Sequence, residues 1–211
     1  MSFVGKSFPS LTVKAIDASG IAFNLNIFEK AITEKKKIVL FWYPKDFTFV
    51  CPTELHAFQD ATEYFAQRNT ILIGASCDTA EVHHAWLTTP KLKGGIEGVT
   101  YPLVADSNRN LANVLDILDA TEIFDEATGH VFLEGDNVPY RATYIIDETG
   151  TVVHESINHM PIGRNVQEYL RLVDAYTHVQ EHGEVCPANW HKGKVAMTAT
   201  PIGVAEYLTA N

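Results

Sequence analysis

The chain has 211 residues, 46% of them apolar and 20% charged, with a formal net charge of −10. An acidic balance of that size excludes nucleic acid and an anionic membrane surface as main partners, because both favour a basic face. No run approaches the roughly 20 apolar residues that span a bilayer. The N-terminal "MSFVGKSFPSLTVKAIDASG" lacks the charged-then-apolar plan of a signal peptide, so a cytoplasmic protein is expected. In that setting three cysteines, Cys51, Cys77 and Cys186, suggest chemistry or packing rather than a stapled scaffold.

In chain order, "KIVLFWYP" (37–44) is a continuous apolar run of strand length, suited to a strand buried on both faces. The stretch that follows spaces Leu55, Phe58, Thr62 and Phe65 as a helix does, which predicts a helix over 53–67. "TILIGAS" (70–76) is a second buried strand, so the three elements form a crossover between parallel strands. "TAEVHHAWL" reads as a helix, "YPLVAD" as a strand and "NRNLANVLDIL" as a helix. Between them and the next strand, 119–140 is long, and Asp125 to Gly129 reads as the turn of an extra hairpin, a surface insertion with no assigned role. "RATYIIDETGTVVHESI" reads as a hairpin turning at Glu148-Thr149-Gly150. A helix over about 165–180 begins with Asn165 and Glu168 spaced as a capping box. The last segment offers Thr200 as N-cap and Pro201 as the first residue of a short helix. The expected fold is α/β: a mixed central sheet flanked by helices over residues 1–182, with 183–211 as a C-terminal arm.

Cys51 lies between the strand at 37–44 and the following helix, in "YPKDFTFVCPTE". Unpaired N–H groups and the positive end of the helix dipole gather at a helix start, and thiols held there carry more thiolate near neutrality. Pro52 suits the first turn, where its missing N–H costs nothing. Thr48 offers a hydroxyl three positions upstream. A buried structural cysteine is the competing reading, but the cluster of proline, hydroxyl and helix-start thiol is hard to derive from packing alone. A thioredoxin-type exchanger needs a second cysteine three residues on; Glu54 stands there instead. The partner of an oxidised Cys51 must come from elsewhere, and Cys186, in "HGEVCPANW" on the arm, is the candidate. Cys77 reads as a packed bystander. The nine histidines show no metal-ligand spacing and read as surface or boundary residues; Trp42, Trp86 and Trp190 read as core or interface.

"YPKDFTFVCPTE" resembles the peroxidatic motif of typical 2-Cys peroxiredoxins, the alkyl hydroperoxide reductase C group, and "GASCDTAEVHHAW", "YPLVAD", "YRATYIIDETG", "PIGRNVQEYLRLVDA" and "HGEVCPANW" resemble the family's later segments in order. The resemblance implies a thioredoxin-like fold and a thiol peroxidase acting on hydrogen peroxide and organic hydroperoxides. It implies Cys51 as nucleophile, Pro44 as its shield, Thr48 as the hydroxyl that orients the peroxide and Arg141 beside the sulfur. Glu54 and Arg164 become supports of that arginine, and Cys186 the resolving cysteine of a partner subunit. It further implies no metal or organic cofactor, a thioredoxin-like or AhpF-type reductant, and a homodimer that assembles to a decamer.

Family members that overoxidise readily carry a Gly-Gly-Leu-Gly loop and a Tyr-Phe pair in the last helix. Here the loop reads Gly94-Gly95-Ile96-Glu97-Gly98 and the pair Tyr207-Leu208, which predicts intermediate sensitivity. A cysteine hydrolase would need a histidine aimed at Cys51, and His56 projects from the helix's second turn. A binding-only ring leaves Pro44, Thr48, Cys51 and Arg141 unexplained.

Overall fold

The computed structural model describes residues 2–210, which divide into two compact units meeting between Arg164 and Asn165. The first unit is built on a seven-stranded mixed sheet. Its strands are β1 (Thr12–Ile16), β2 (Ala22–Asn26), β3 (Lys37–Trp42), β4 (Thr70–Ser76), β5 (Leu103–Ala105), β8 (Arg141–Ile146) and β9 (Val152–Asn158), in the order β2-β1-β5-β4-β3-β8-β9. The strands β3, β4 and β5 run parallel; β1 and β2 at one edge and β8 and β9 at the other are antiparallel to their neighbours.

Every residue of β3 is buried, as its unbroken apolar run requires of a strand covered on both faces. Ile38, Leu40 and Trp42 join one core cluster with Ile27 and Ala31 of α1 (Ile27–Glu34) and Leu111 and Ala112 of α5 (Asn110–Val114). On the opposite face Phe41 stacks on Phe58 of α2 (Cys51–Asp60), with ring centroids 3.9 Å apart. Phe58 continues to Phe65 of α3 (Thr62–Ala66), and Tyr43 packs by Trp86 of α4 (Ala80–Leu87).

The expected helix over 53–67 is two helices that break at Ala61, and the first begins two residues earlier, at Cys51. The Thr62 hydroxyl donates to the Phe58 carbonyl, a local bond of the kind that bends helices. The helix expected across 108–118 keeps only α5. Arg109 and Asp116 take left-handed backbone at its two ends, and the Asp106 carboxylate accepts from the Leu111 and Ala112 N–H groups. The elements β1, β2 and α1 have no counterpart in the sequence reading. The extra hairpin is present as β6 (Thr121–Asp125) and β7 (His130–Glu134), a separate two-stranded sheet with every β7 residue exposed. Its turn is closed by Gly129 N–H donating to the Asp125 carbonyl at 2.8 Å.

The second unit comprises α6 (Val166–His182), an irregular stretch and α7 (Pro201–Ala210). The Asn165 side chain caps α6 by accepting from Gln167 N–H, and the Thr200 hydroxyl accepts from Gly203 N–H at the start of α7. Between the helices, Val185 and Met197 exchange both backbone hydrogen bonds, and Trp190 is buried with its indole N–H on the Lys194 carbonyl. Trp42 and Trp86 are fully buried in the first unit. Among the described residues, no helix is long and apolar enough to cross a membrane.

Candidate active site

The buried β3 ends at Trp42 and hands the chain to a short loop, after which Cys51 opens α2. The Cys51 side chain is fully buried. Arg141, the first residue of β8, reaches it with Nη1 3.4 Å from Sγ. The strand pairing explains why the two meet: β8 lies directly beside β3, so its first residue sits near the end of the strand that launches the loop.

Arg141 is held from two other sides. Its Nη1 also donates to Glu54 Oε2 at 2.7 Å, and its Nε donates to the Met160 carbonyl at 2.6 Å. Glu54, one helical turn after Cys51, is only 3% exposed and receives a second cation. Arg164 gives it three bonds: Nε and the backbone N–H to Oε1 at 2.8 and 2.9 Å, and Nη2 to Oε2 at 2.8 Å. Its Nη1 donates to the Ala142 carbonyl and the Thr143 hydroxyl, and its guanidinium lies 5.3 Å from the Phe41 ring centroid. Burial alone pushes the Glu54 carboxyl up, but the hydrogen bonds and charge of Arg164, with the charge of Arg141, outweigh it and hold the group below its ordinary value. One carboxylate thus fixes two guanidiniums, and one of these faces the sulfur.

Thr48 and Pro44 lie on the same loop. The Thr48 hydroxyl donates to the Lys45 carbonyl at 2.9 Å, so its oxygen is left to accept. Pro44, Thr48, Phe49, Val50 and Arg141 border a cavity of about 530 Å3. Pro44, Thr48, Cys51, Glu54, Arg141 and Arg164, all singled out in the sequence, therefore converge.

A second cluster, missed in the sequence, pins the loop. His83 was read as a surface or boundary residue; it is fully buried. Its Nδ1 lies 2.8 Å from Asp46 Oδ2 and its Nε2 3.1 Å from the Val104 carbonyl. Both partners accept, so the ring is satisfied when both nitrogens carry protons. Tyr43 donates its hydroxyl to Asp46 Oδ1 at 2.9 Å, and Asp46 N–H donates to Asp78 Oδ2 at 2.9 Å. Burial pushes His83 down, but the hydrogen bond and charge of Asp46 prevail and raise it above its ordinary value. The anchor permits strain next door: Phe47 adopts left-handed backbone (φ 55°), a conformation that costs an ordinary residue about 1–2 kcal/mol, and its ring packs 5.8 Å from Trp86. The signal was available, since Ala80, His83 and Leu87 are helically spaced on a buried face.

Cys77, expected as a packed bystander, is partly buried. It sits against the core cluster, and burial, with Asp106 nearby, pushes its thiol up to about 12. Cys186 lies in the second unit, half-buried, with Sγ 3.6 Å from the Ala175 carbonyl; partial burial and Glu184 raise its thiol against the opposing charge of Arg171. All three cysteines are free thiols.

The AhpC/TSA family model matches residues 4–155, and the model for the C-terminal domain of 1-Cys peroxiredoxin matches 175–210. Alkyl hydroperoxide reductase C of Helicobacter pylori (strain ATCC 700392 / 26695) is 46% identical over 84% of this chain and 82% of its own length. Peroxiredoxin-1 of Gekko japonicus is 40% identical over 91% and 88%. Among solved structures, the reduced 2-Cys peroxiredoxin of Plasmodium vivax superposes with a TM-score of 0.87 at 37% identity, covering 99% of this chain and 100% of that one. The mixed sheet flanked by helices is thus the thioredoxin-like fold of that family. The chain belongs to the AhpC/TSA family and is a peroxiredoxin, a thiol-dependent peroxidase.

Proposed function

We propose that Cys51 is the peroxidatic nucleophile and Cys186 of a second subunit its resolving thiol. The observation that carries the first half is the 3.4 Å approach of Arg141 Nη1 to the Cys51 sulfur, with the guanidinium fixed by Glu54 and Met160. The thiolate attacks one peroxide oxygen in line. A sulfur–oxygen bond forms, the oxygen–oxygen bond breaks, and the departing oxygen takes a proton to leave as water or alcohol. Negative charge moves from sulfur to the leaving oxygen, so a fixed cation along that line favours the transition state over the ground state. Thr48 accepts a hydrogen bond from the peroxide, and Pro44 walls the site.

The sulfenic acid on Cys51 then condenses with the Cys186 thiol, releasing water and forming a disulfide. Both Cα atoms must come within about 7 Å. Because Cys51 is fully buried at the first residue of α2, that turn has to unwind before any thiol can reach it. The arm, 183–211, supplies the resolving residue. A dithiol reductant of the thioredoxin or AhpF type returns the disulfide to two thiols. The substrates are hydrogen peroxide and organic hydroperoxides, the working assembly is a homodimer that forms a decamer, and the setting is the cytoplasm.

One observation favours a second reading: the C-terminal match is to a domain of 1-Cys peroxiredoxin, in which resolution would fall to an external thiol. The test of the nucleophile is the rate at which pre-reduced protein consumes hydrogen peroxide. Cys51→Ser is expected to abolish it, and Cys186→Ser to leave the first turnover intact. A Cys51→Ser protein that keeps its rate contradicts the assignment.

A further inference from the structure

The 119–140 segment returns to the active site. After β7 the chain runs Gly135 to Tyr140 directly into Arg141, and both Asp136 and Val138 border the cavity that Thr48 and Arg141 also border. The return is fastened at Asn137, Val138 and Tyr140. Val138 accepts at its carbonyl from Asp119 N–H, and Asn137 N–H donates to the Asp119 carbonyl, each at 2.9 Å. Arg109 Nε donates to the Asn137 carbonyl at 2.9 Å, and the Tyr140 hydroxyl donates to Asp119 Oδ1 at 2.8 Å. Gly135 (φ 115°) has no room for a side chain, since a Cβ would stand 2.5 Å from the Asp119 carbonyl oxygen. Two side chains are therefore held at the cavity wall by a segment anchored on both sides of them.

The cavity far exceeds what hydrogen peroxide needs. At about 530 Å3 and open to solvent, it has room for an organic group beside the peroxide bond. Only Thr48 and Arg141 are placed to handle the peroxide bond. Phe49, which is 94% exposed, and Val138, Met160 and Pro161 offer hydrocarbon instead. The charges also oppose one another: Lys45 and Arg141 are cationic and Asp136 is acidic, while Glu54, shared between Arg141 and Arg164, offsets the Arg141 charge only in part.

We propose that the hairpin segment 119–140 is a substrate-selecting wall, with Val138 packing the organic part of an uncharged alkyl or aryl hydroperoxide and Asp136 disfavouring hydroperoxides that carry a carboxylate. Hydrophobic pockets discriminate by the area they cover. An acidic side chain at an open mouth acts on approach and is screened by salt. Selection falls on the carbon side of the O–O bond, leaving the bond itself to Thr48 and Arg141.

The test uses the full-length reduced protein in stopped flow, with hydrogen peroxide, cumene hydroperoxide and linoleic acid hydroperoxide as probes. Each organic rate constant is divided by that for hydrogen peroxide in the same sample, so a partly inactive preparation cancels. Val138→Ala is expected to lower the cumene ratio about fivefold, since removing two methyl-sized groups from a half-open wall loses part of their transfer energy. Asp136→Asn is expected to raise the linoleic acid ratio about threefold at low salt, the gain fading at high salt. Ratios that stay at the wild-type value in either variant overturn the inference. It rests on the peroxidase reading, and the two fail separately: a wild-type protein that no peroxide oxidises removes the reading, whereas oxidation with unmoved ratios removes only the selecting wall.

Discussion

Arg141 and Glu54 share a hydrogen bond of 2.7 Å that turns the arginine toward the Cys51 sulfur. The pair is buried, with Arg141 4% and Glu54 3% exposed, so breaking it from one side strands a charge. Arg141→Ala is expected to lower the rate constant for peroxide about 100-fold, the usual scale for losing a donor aimed at developing charge. Arg141→Lys recovers little, because an ammonium lacks the fork that serves Met160, Glu54 and the sulfur together. Glu54→Ala is expected to slow the reaction and to destabilise the fold by about 3 kcal/mol, read from urea unfolding. A Glu54→Ala protein with wild-type rate and stability would show that the network is ornamental.

Two titrations follow from opposite signs. Glu54 is held below its ordinary carboxyl value, so its stabilisation is present above about pH 4.5 and is lost as pH falls through the depressed folded value. His83 is raised above its ordinary value of about 6.5, so its contribution is complete below about pH 6.5 and is lost as pH rises through the folded value. Urea midpoints measured on reduced protein are expected to decline on the alkaline side. His83→Gln is expected to lower stability at pH 6 and to flatten that decline. An unchanged slope in the variant assigns the pH dependence elsewhere.

Much of this site was legible in the sequence, and the reasons differ by residue. Cys51 stood out because a thiol at a strand-to-helix junction, without a second cysteine nearby, restricts the chemistry; Pro44 and Thr48 stood out as its neighbours, with their roles coming through resemblance. Arg141 and Arg164 came only through resemblance, since their roles depend on β8 lying beside β3, a pairing no local pattern encodes. The Tyr43–Asp46–His83 cluster was missed because a polar residue on an apolar helix face is usually assigned outward. The elements β1, β2 and α1 escaped because exposed Lys14 and Asn24 dilute a short alternation. The hairpin at 119–140 was legible from its turn chemistry, while its return to the cavity was not.

The segment 94–101 and α2 are joined by contacts that oppose unwinding. His56 Nε2 lies 3.1 Å from the Gly95 carbonyl, Gln59 Oε1 accepts from Thr100 N–H at 2.8 Å, and Tyr101 donates its hydroxyl to the Leu55 carbonyl at 2.7 Å. Each must yield, or follow, if the helix opens for resolution. A sulfenic acid that waits is exposed to a second peroxide. His56→Ala is expected to speed disulfide formation and to raise, by a few-fold, the peroxide concentration at which Cys51 becomes sulfinic, measured by intact mass. The wild type is expected to overoxidise at intermediate peroxide. Absence of the sulfinic form even in large excess, or no shift in the variant, contradicts the brake.

The resolving role proposed for Cys186 of another subunit is read directly by a non-reducing gel after hydrogen peroxide treatment. The wild type and Cys77→Ser are expected to shift to a covalent dimer, because Cys77 is packed against the core and its thiol is pushed up by burial and Asp106. Cys51→Ser and Cys186→Ser are each expected to remain monomers on that gel. A covalent dimer that survives Cys186→Ser would contradict the account and move the resolving role to another thiol.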